Sequence, residues 1–296
     1  MTGTLARFTG CAGMTSNSPL WLVVNPASGS NDETAQQALI DSLTEAEHAP
    51  DRLIDITKSP DLSPAALDAA GVATLAVFTG DGTLSSVIAG LGGWQGNVLV
   101  LPGGTTNLLA KALHGEDVTL ESAVEAFTKG TLTPVQRTGI AWSGGLAVCE
   151  LLAGPGATWS DVREELREGN LVAMAQTAVE AARQSGNGAL VRLCEPDIGK
   201  AEGYGGVRLV PEAAGLVVDG YGAESVADYL KQGLALLRRN FREGPHDELG
   251  AHHKVHCETV DGAAMDLMVD GERLTGNPEE TFSLAPLPVN LLAPAE

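Results

Sequence analysis

Two domains of about 150 residues each would account for a chain of 296 residues, and its 44% hydrophobic content marks it as globular. Asp and Glu number 38 against 18 Lys and Arg, a formal net charge of −20; no Lys/Arg cluster could displace counterions from a phosphate backbone, so nucleic acid is not a partner, and charge alone disfavours an anionic membrane surface. The four cysteines (Cys11, Cys149, Cys194, Cys257) form no CxxC pair, which argues for reduced thiols in a cytoplasm over a disulfide framework or zinc knuckle, and no apolar run approaches the ~18 residues of a membrane span.

Residues 1–18, rich in Gly, Thr and Ser, read as a disordered tail rather than a signal peptide. A continuous apolar run at 20–24 reads as a strand buried on both faces, ending in the small-residue turn 25–29, Asn-Pro-Ala-Ser-Gly. Ser30 and Glu33 have capping-box spacing before a helix with Ala35, Ala38, Leu39 and Leu43 on one face. A second strand covers 52–56 and ends at Thr57; Ser63 and Pro64 then open a short helix that Gly71 stops. The third strand, 75–78, passes into Thr79-Gly80-Asp81-Gly82-Thr83 and a helix with Leu84, Val87, Ile88 and Leu91 at 3.6-residue spacing. Glycines beside Asp81 leave main-chain N–H groups open to a ligand, and the helix N-terminus suits an anion; the alternative is an ordinary strand-to-helix turn. The fourth strand, 97–101, runs into Pro102-Gly103-Gly104-Thr105-Thr106-Asn107 and a helix carrying Leu108, Leu109, Ala112 and Leu113, and a helix over 120–129, capped by Thr119 and stopped by Gly130, follows. Strands and helices that alternate with short connections form a parallel sheet covered on both faces, whose ligands sit at the carboxyl ends of its strands. The loops at 25–29, 57, 80–83 and 102–107 all fall on that edge.

From about 134 the pattern changes to short strand-like pieces (145–152, 190–194, 208–210, 216–218, 255–260, 264–269) between Gly- and Pro-rich turns, which predicts a mostly antiparallel domain. Two amphipathic helices, 160–183 and 225–242, interrupt it; the second ends in Arg238, Arg239 and Arg242, as helix capping or as a lipid or phosphate contact. His252, His253, His256 and Cys257 alternate as along a strand, with His252 and His256 on one face, which is an edge strand in preference to a metal site. Trp142 and Trp159 read as core, with a lipid cleft as the alternative.

No GxxxxGK[ST] loop and no GxGxxG after a strand is present. NPASG, TGDGT and LPGGTTN, in that order at strand ends, resemble the diacylglycerol kinase and sphingosine kinase catalytic-domain superfamily of soluble lipid kinases, distantly related to the NAD kinases. Asp270-Gly271-Glu272 and the Pro-rich apolar end at 282–294 extend the likeness. The resemblance implies an α/β N-terminal domain with a parallel sheet (19–133) and a mostly antiparallel β-sandwich C-terminal domain (134–285), with 286–296 returning to the first. It implies nucleotide contacts at Asn25, Ser28, Gly29, Thr57, Thr79, Gly80, Gly82, Thr83, Gly103, Gly104, Thr105 and Asn107, with ATP and Mg²⁺ as ligands. Without a P-loop lysine, Mg²⁺ must neutralise much of the triphosphate.

On the same resemblance, the catalytic candidates are Glu272, Asp81 and Asp270. Glu272 is favoured as general base; Asp81 is open to two roles, holding Mg²⁺ or taking the proton. Asp219-Gly220 is similar to an element that holds a structural metal in some bacterial members. Ser85-Ser86 replaces the family's Asn-Glu pair, and Asn107-Leu108 its Asn-Asp, so two carboxylates near the phosphates are missing. The implied activity is transfer of the γ-phosphoryl of ATP to a hydroxyl of diacylglycerol or a related lipid at a membrane surface, by a cytoplasmic or peripheral enzyme; a homodimer is left open. The alternative is a non-catalytic nucleotide- or lipid-binding protein on the same fold. An NAD kinase would need a later Asn-rich dinucleotide loop, which the sequence lacks.

Overall fold

The computed structural model describes residues 18–27, 31–58, 60–155, 189–222 and 246–295. The expected helices at 160–183 and 225–242, the arginines at 238, 239 and 242, Trp159, and the tail up to residue 17 lie outside the described residues, as do Ser28, Gly29 and Ser30.

The first sheet takes β1 (Leu20–Val24), β2 (Arg52–Asp55), β3 (Thr74–Thr79), β4 (Asn97–Pro102), β5 (Leu132–Val135) and β17 (Asn290–Pro294) in the order β2-β1-β3-β4-β17-β5. β1 pairs in parallel with β2 and β3, and β3 and β17 each pair in parallel with β4; β5 runs antiparallel to β17. Because both faces are covered, β1 and β3 are buried at every residue, and alternate side chains feed two cores. Trp21, Val23, Leu75 and Val77 pack with α2 (Pro64–Ala69), α3 (Asp81–Gly90) and α4 (Leu108–His114). Leu20, Leu22, Val24, Ala76 and Phe78 face α1 (Glu33–Glu45) and α5 (Leu120–Thr128) on the other side.

Ser63 caps α2 by accepting from the Ala66 N–H at 3.2 Å, with Pro64 at the first helical position. Thr119 caps α5 in a reciprocal box with Ser122. For α1 the expected Ser30 cap is replaced by Asp32, whose carboxylate accepts from the Ala35 N–H at 2.8 Å; both types cap well, and the helix begins two residues later than the Ser30 spacing would have it.

The second half forms two antiparallel sheets. One has the order β12-β11-β10-β8-β14-β15, from β8 (Leu151–Ala153), β10 (Gly206–Glu212), β11 (Gly215–Tyr221), β12 (Asp247–His252), β14 (Met265–Val269) and β15 (Glu272–Gly276). The other has the order β7-β6-β16-β13-β9, from β6 (Thr138–Trp142), β7 (Gly145–Ala147), β9 (Val191–Glu195), β13 (Lys254–Thr259) and β16 (Glu279–Pro286). Their inner faces share a core that includes Leu151, Leu193, Leu209, Val218, Val255, Leu267 and Phe282, with Trp142 packed at its margin. This is the expected sandwich.

Two strand assignments change. The run 145–152 is not one strand: it breaks between β7 and β8 because the N–H groups of Val148, Cys149 and Glu150 donate to the Asp270 carboxylate and so leave the ladder. The histidines do not share one strand either, since β12 ends at His252 and β13 starts at Lys254. His252 Nε2 bonds the Leu249 carbonyl and His256 Nδ1 the Thr281 hydroxyl, while Cys257 is buried in the core.

Candidate active site

The carboxyl ends of β1, β3 and β4 bring their loops together. Asn25, just past β1, donates from Nδ2 to the Thr83 hydroxyl at 2.9 Å, tying the first loop to the first turn of α3. Asn31, fully buried, donates to the Phe78 carbonyl at the end of β3, and its own carbonyl accepts from Gln36 Nε2 at 2.8 Å. Thr79 is buried, and Gly80 serves as N-cap of α3 without a side-chain bond. The α3 N-terminus is thus left without a side chain of its own over it, as an anion site requires.

The 102–107 loop is held by its own side chain. Asn107 accepts from the Gly104 N–H at 2.7 Å and donates to the Gly104 carbonyl at 2.9 Å, with a left-handed φ of 54° that Asn tolerates better than most residues. A Cβ on Gly103 would come within 2.6 Å of the Thr79 nitrogen, and one on Gly104 within 2.7 Å of the Gly80 Cα. The two glycine loops therefore touch backbone to backbone, and Thr105 stands exposed at the tip. Thr57 lies in a 3₁₀ turn after β2, where its N–H and hydroxyl both donate to Asp55.

Asp81, the first residue of α3, accepts from the main-chain N–H groups of Leu108 and Leu109 at the start of α4, the latter at 3.3 Å. Burial pushes its pKa up; the two N–H groups pull it down, and the charges of Asp270 and Glu150 push it up again. It is a half-buried carboxylate that feels the negative charge of two others.

Asp270 is 2% exposed and enters from the sandwich. Its carboxylate accepts from the N–H groups of Val148 (2.7 Å), Cys149 (2.7 Å) and Glu150 (3.1 Å) and from the Ser85 hydroxyl, and its own N–H donates to the Glu150 carbonyl at 3.0 Å. Burial raises its pKa against these four donors. With both oxygens engaged, Asp270 anchors the turn between β14 and β15 to the β7–β8 link. Cys149 beside it has its thiol pushed well above the ordinary value, by burial first and the three carboxylates next, and is therefore a poor nucleophile.

Glu272, two residues on, is exposed, and its side chain makes no hydrogen bond or ion pair among the described residues. Its side chain lies on Gly82, where a Cβ would stand 2.3 Å from Oε1. The fold thus joins Asn25 to Thr83, Gly80 to Gly104, and Gly82 to Glu272.

Asp219 stands apart from this group. Its carboxylate pairs with the Arg208 Nη1 at 3.2 Å and lies 3.9 Å from the His246 ring, while Arg208 Nε reaches Glu150 at 3.1 Å. Asp219 is thus the partner of a guanidinium, and among the described residues no three His, Cys, Asp or Glu side chains form a metal-holding group. Sequence reasoning singled out Ser85 as a departure from the family pattern but not its bond to Asp270, and it missed Glu150, Arg208 and Asn31. Only Asn31 had a signal, an Asn next to a helix start in a run of small residues; the others acquire their partners from segments distant in sequence.

The family model of the diacylglycerol kinase catalytic domain matches residues 19–139. No curated protein matches the chain. A crystal structure described as a diacylglycerol kinase, from Bacillus anthracis str. Sterne, superimposes with a TM-score of 0.60 at 16% identity, covering 94% of this chain and 98% of that one. A second structure from the same organism gives 0.60 at 18% identity, over 93% and 96% of the two chains. Among the described residues no helix is long and apolar enough to cross a membrane. Residues 19–139 therefore carry the diacylglycerol kinase catalytic-domain match, in a chain that has the fold of these bacterial structures over most of its length.

Proposed function

We propose that the protein is a lipid kinase that moves the γ-phosphoryl group of ATP onto a hydroxyl of diacylglycerol or a related lipid. The observation that carries this reading is the seating of Glu272 on Gly82, which brings an unengaged carboxylate of the sandwich to the glycine loops and bare helix N-terminus of the α/β half. Uncharged donors on the 80–83 and 103–107 loops suit a polyphosphate chain. Glu272 takes the proton of the lipid hydroxyl as its oxygen bonds to the γ-phosphorus; the bond from that phosphorus to the bridging oxygen breaks, and ADP leaves in line.

A divalent cation fits Asp81, a half-buried carboxylate in the first turn of α3, beside the Gly80 and Gly104 backbones. Asp81 would hold it, and when bound it would neutralise phosphate charge. Asp270 would not ligate it, since its oxygens are already bonded. The lipid would be met at a membrane surface through apolar contact, because the net charge is −20.

Purified protein incubated with Mg²⁺-ATP and a panel of alcohol lipids tests the reading. Phosphoryl transfer to diacylglycerol or a relative is expected, and Glu272→Gln should lower kcat by about 10²-fold or more. A second reading, a non-catalytic binder, has in its favour Ser85, Ser86 and Leu108 at positions where the family resemblance expects Asn, Glu and Asp. ATP binding without turnover, indifferent to Glu272→Gln, would establish it instead.

A further inference from the structure

We infer that Ser85 is a positioning residue that holds Glu272 in place through Asp270, an inference that rests on the kinase reading. Ser85 and Gly82 are three residues apart on α3 and so lie on one face of the helix. Asp270 and Glu272 are two residues apart around Gly271, at the turn between β14 and β15. The pairs meet one to one: the Ser85 hydroxyl donates to the Asp270 carboxylate, and the Glu272 side chain rests on Gly82.

The backbone makes this dock stiff. Asp270 holds φ 49° and Gly271 φ 90°, a left-handed pair that turns the chain sharply. The Asp270 carboxylate is also seated on three consecutive N–H groups of the β7–β8 link. Its position within the sandwich is thereby fixed. The Ser85 hydroxyl then references that fixed point to the α/β half, across a sequence separation of 185 residues. Gly82 alone offers Glu272 a surface and no donor side chain, so without Ser85 the carboxylate loses its second reference point. The serine carries the registration of base to phosphate loop, and chemistry that needs reacting atoms near 3 Å is sensitive to that registration.

Three proteins test this: wild type, Ser85→Ala and Ser85→Thr. Alanine is a better helix former than serine, so the variant should fold. With Mg²⁺-ATP and diacylglycerol micelles, Ser85→Ala should lose kcat by about 10- to 100-fold with KM for ATP within about twofold, and Ser85→Thr, which keeps the hydroxyl, should recover most of it. Wild-type kcat in Ser85→Ala, no rescue by Thr, or a loss expressed mainly in KM for ATP would each overturn the inference. Amide hydrogen exchange of peptides spanning 81–86 and 148–150 gives a readout free of turnover: both should exchange faster in Ser85→Ala and not in Ser85→Thr. If the wild type phosphorylates no lipid, the kinase reading fails, and unchanged exchange in Ser85→Ala would separately sink the dock.

Discussion

Two glycines of the site differ in what opposes a side chain, and their alanine variants should fail in different ways. At Gly82 the obstacle is the end of the flexible Glu272 side chain, so Gly82→Ala should leave thermal stability near that of wild type while displacing the base, with kcat reduced by about 10²-fold. At Gly103 the obstacle is the backbone of Phe78 and Thr79, which cannot swing aside, and Gly103→Ala should cost about 1–3 kcal/mol in denaturant unfolding. Asp81 makes a third case. Burial raises its pKa in the folded state, so the folded protein binds a proton more readily than the unfolded chain; its contribution to stability falls as pH rises through the interval between the two values. Asp81→Asn should therefore raise Tm at pH 7, with the advantage shrinking toward about pH 4, while abolishing phosphoryl transfer. The glycines and Asp81 were legible in the sequence as a strand, tight turn and helix start. That Gly82 makes room for a carboxylate from the far end of the chain was not, because local spacing carries no record of a partner so remote.

Among the elements, those set by local rules were read correctly: β1 and β3 from unbroken apolar runs, α2 from Ser63-Pro64, α5 from its Thr119 cap. Those decided by tertiary contacts were not. The 145–152 run has strand composition, yet it breaks where its N–H groups find a carboxylate in place of a neighbouring strand. Arg208 is likewise unremarkable in β10 until β11 and the Glu150 link close around it. Because Arg208 compensates Glu150 and Asp219, both largely buried, Arg208→Ala should destabilise by about 3 kcal/mol or more in urea unfolding. A chelator should leave the Tm of the wild type unchanged, which a structural metal at Asp219 would contradict.

At the scale of the whole molecule, β17 lies between β4 and β5, with Asn290 beside Asn97 and both Leu291 and Leu292 fully buried. A chain stopped at residue 287 would open the first sheet and forfeit about 1.5–3 kcal/mol for each of those leucines, and it should show no cooperative thermal transition by circular dichroism. Val148 from the β7–β8 link of the sandwich, and Leu287 and Val289 from the link between β16 and β17, pack in the same core as Leu291, so the full chain should melt in one transition. The placement of β17 also bears on how the protein is made. On the ribosome, β1, β3 and β4 emerge long before residues 290–294 exist, and for that time β4 has an open edge. The α/β half must wait for its missing strand, so slow translation of the sandwich prolongs the period in which a chaperone, or another nascent copy, can reach that edge.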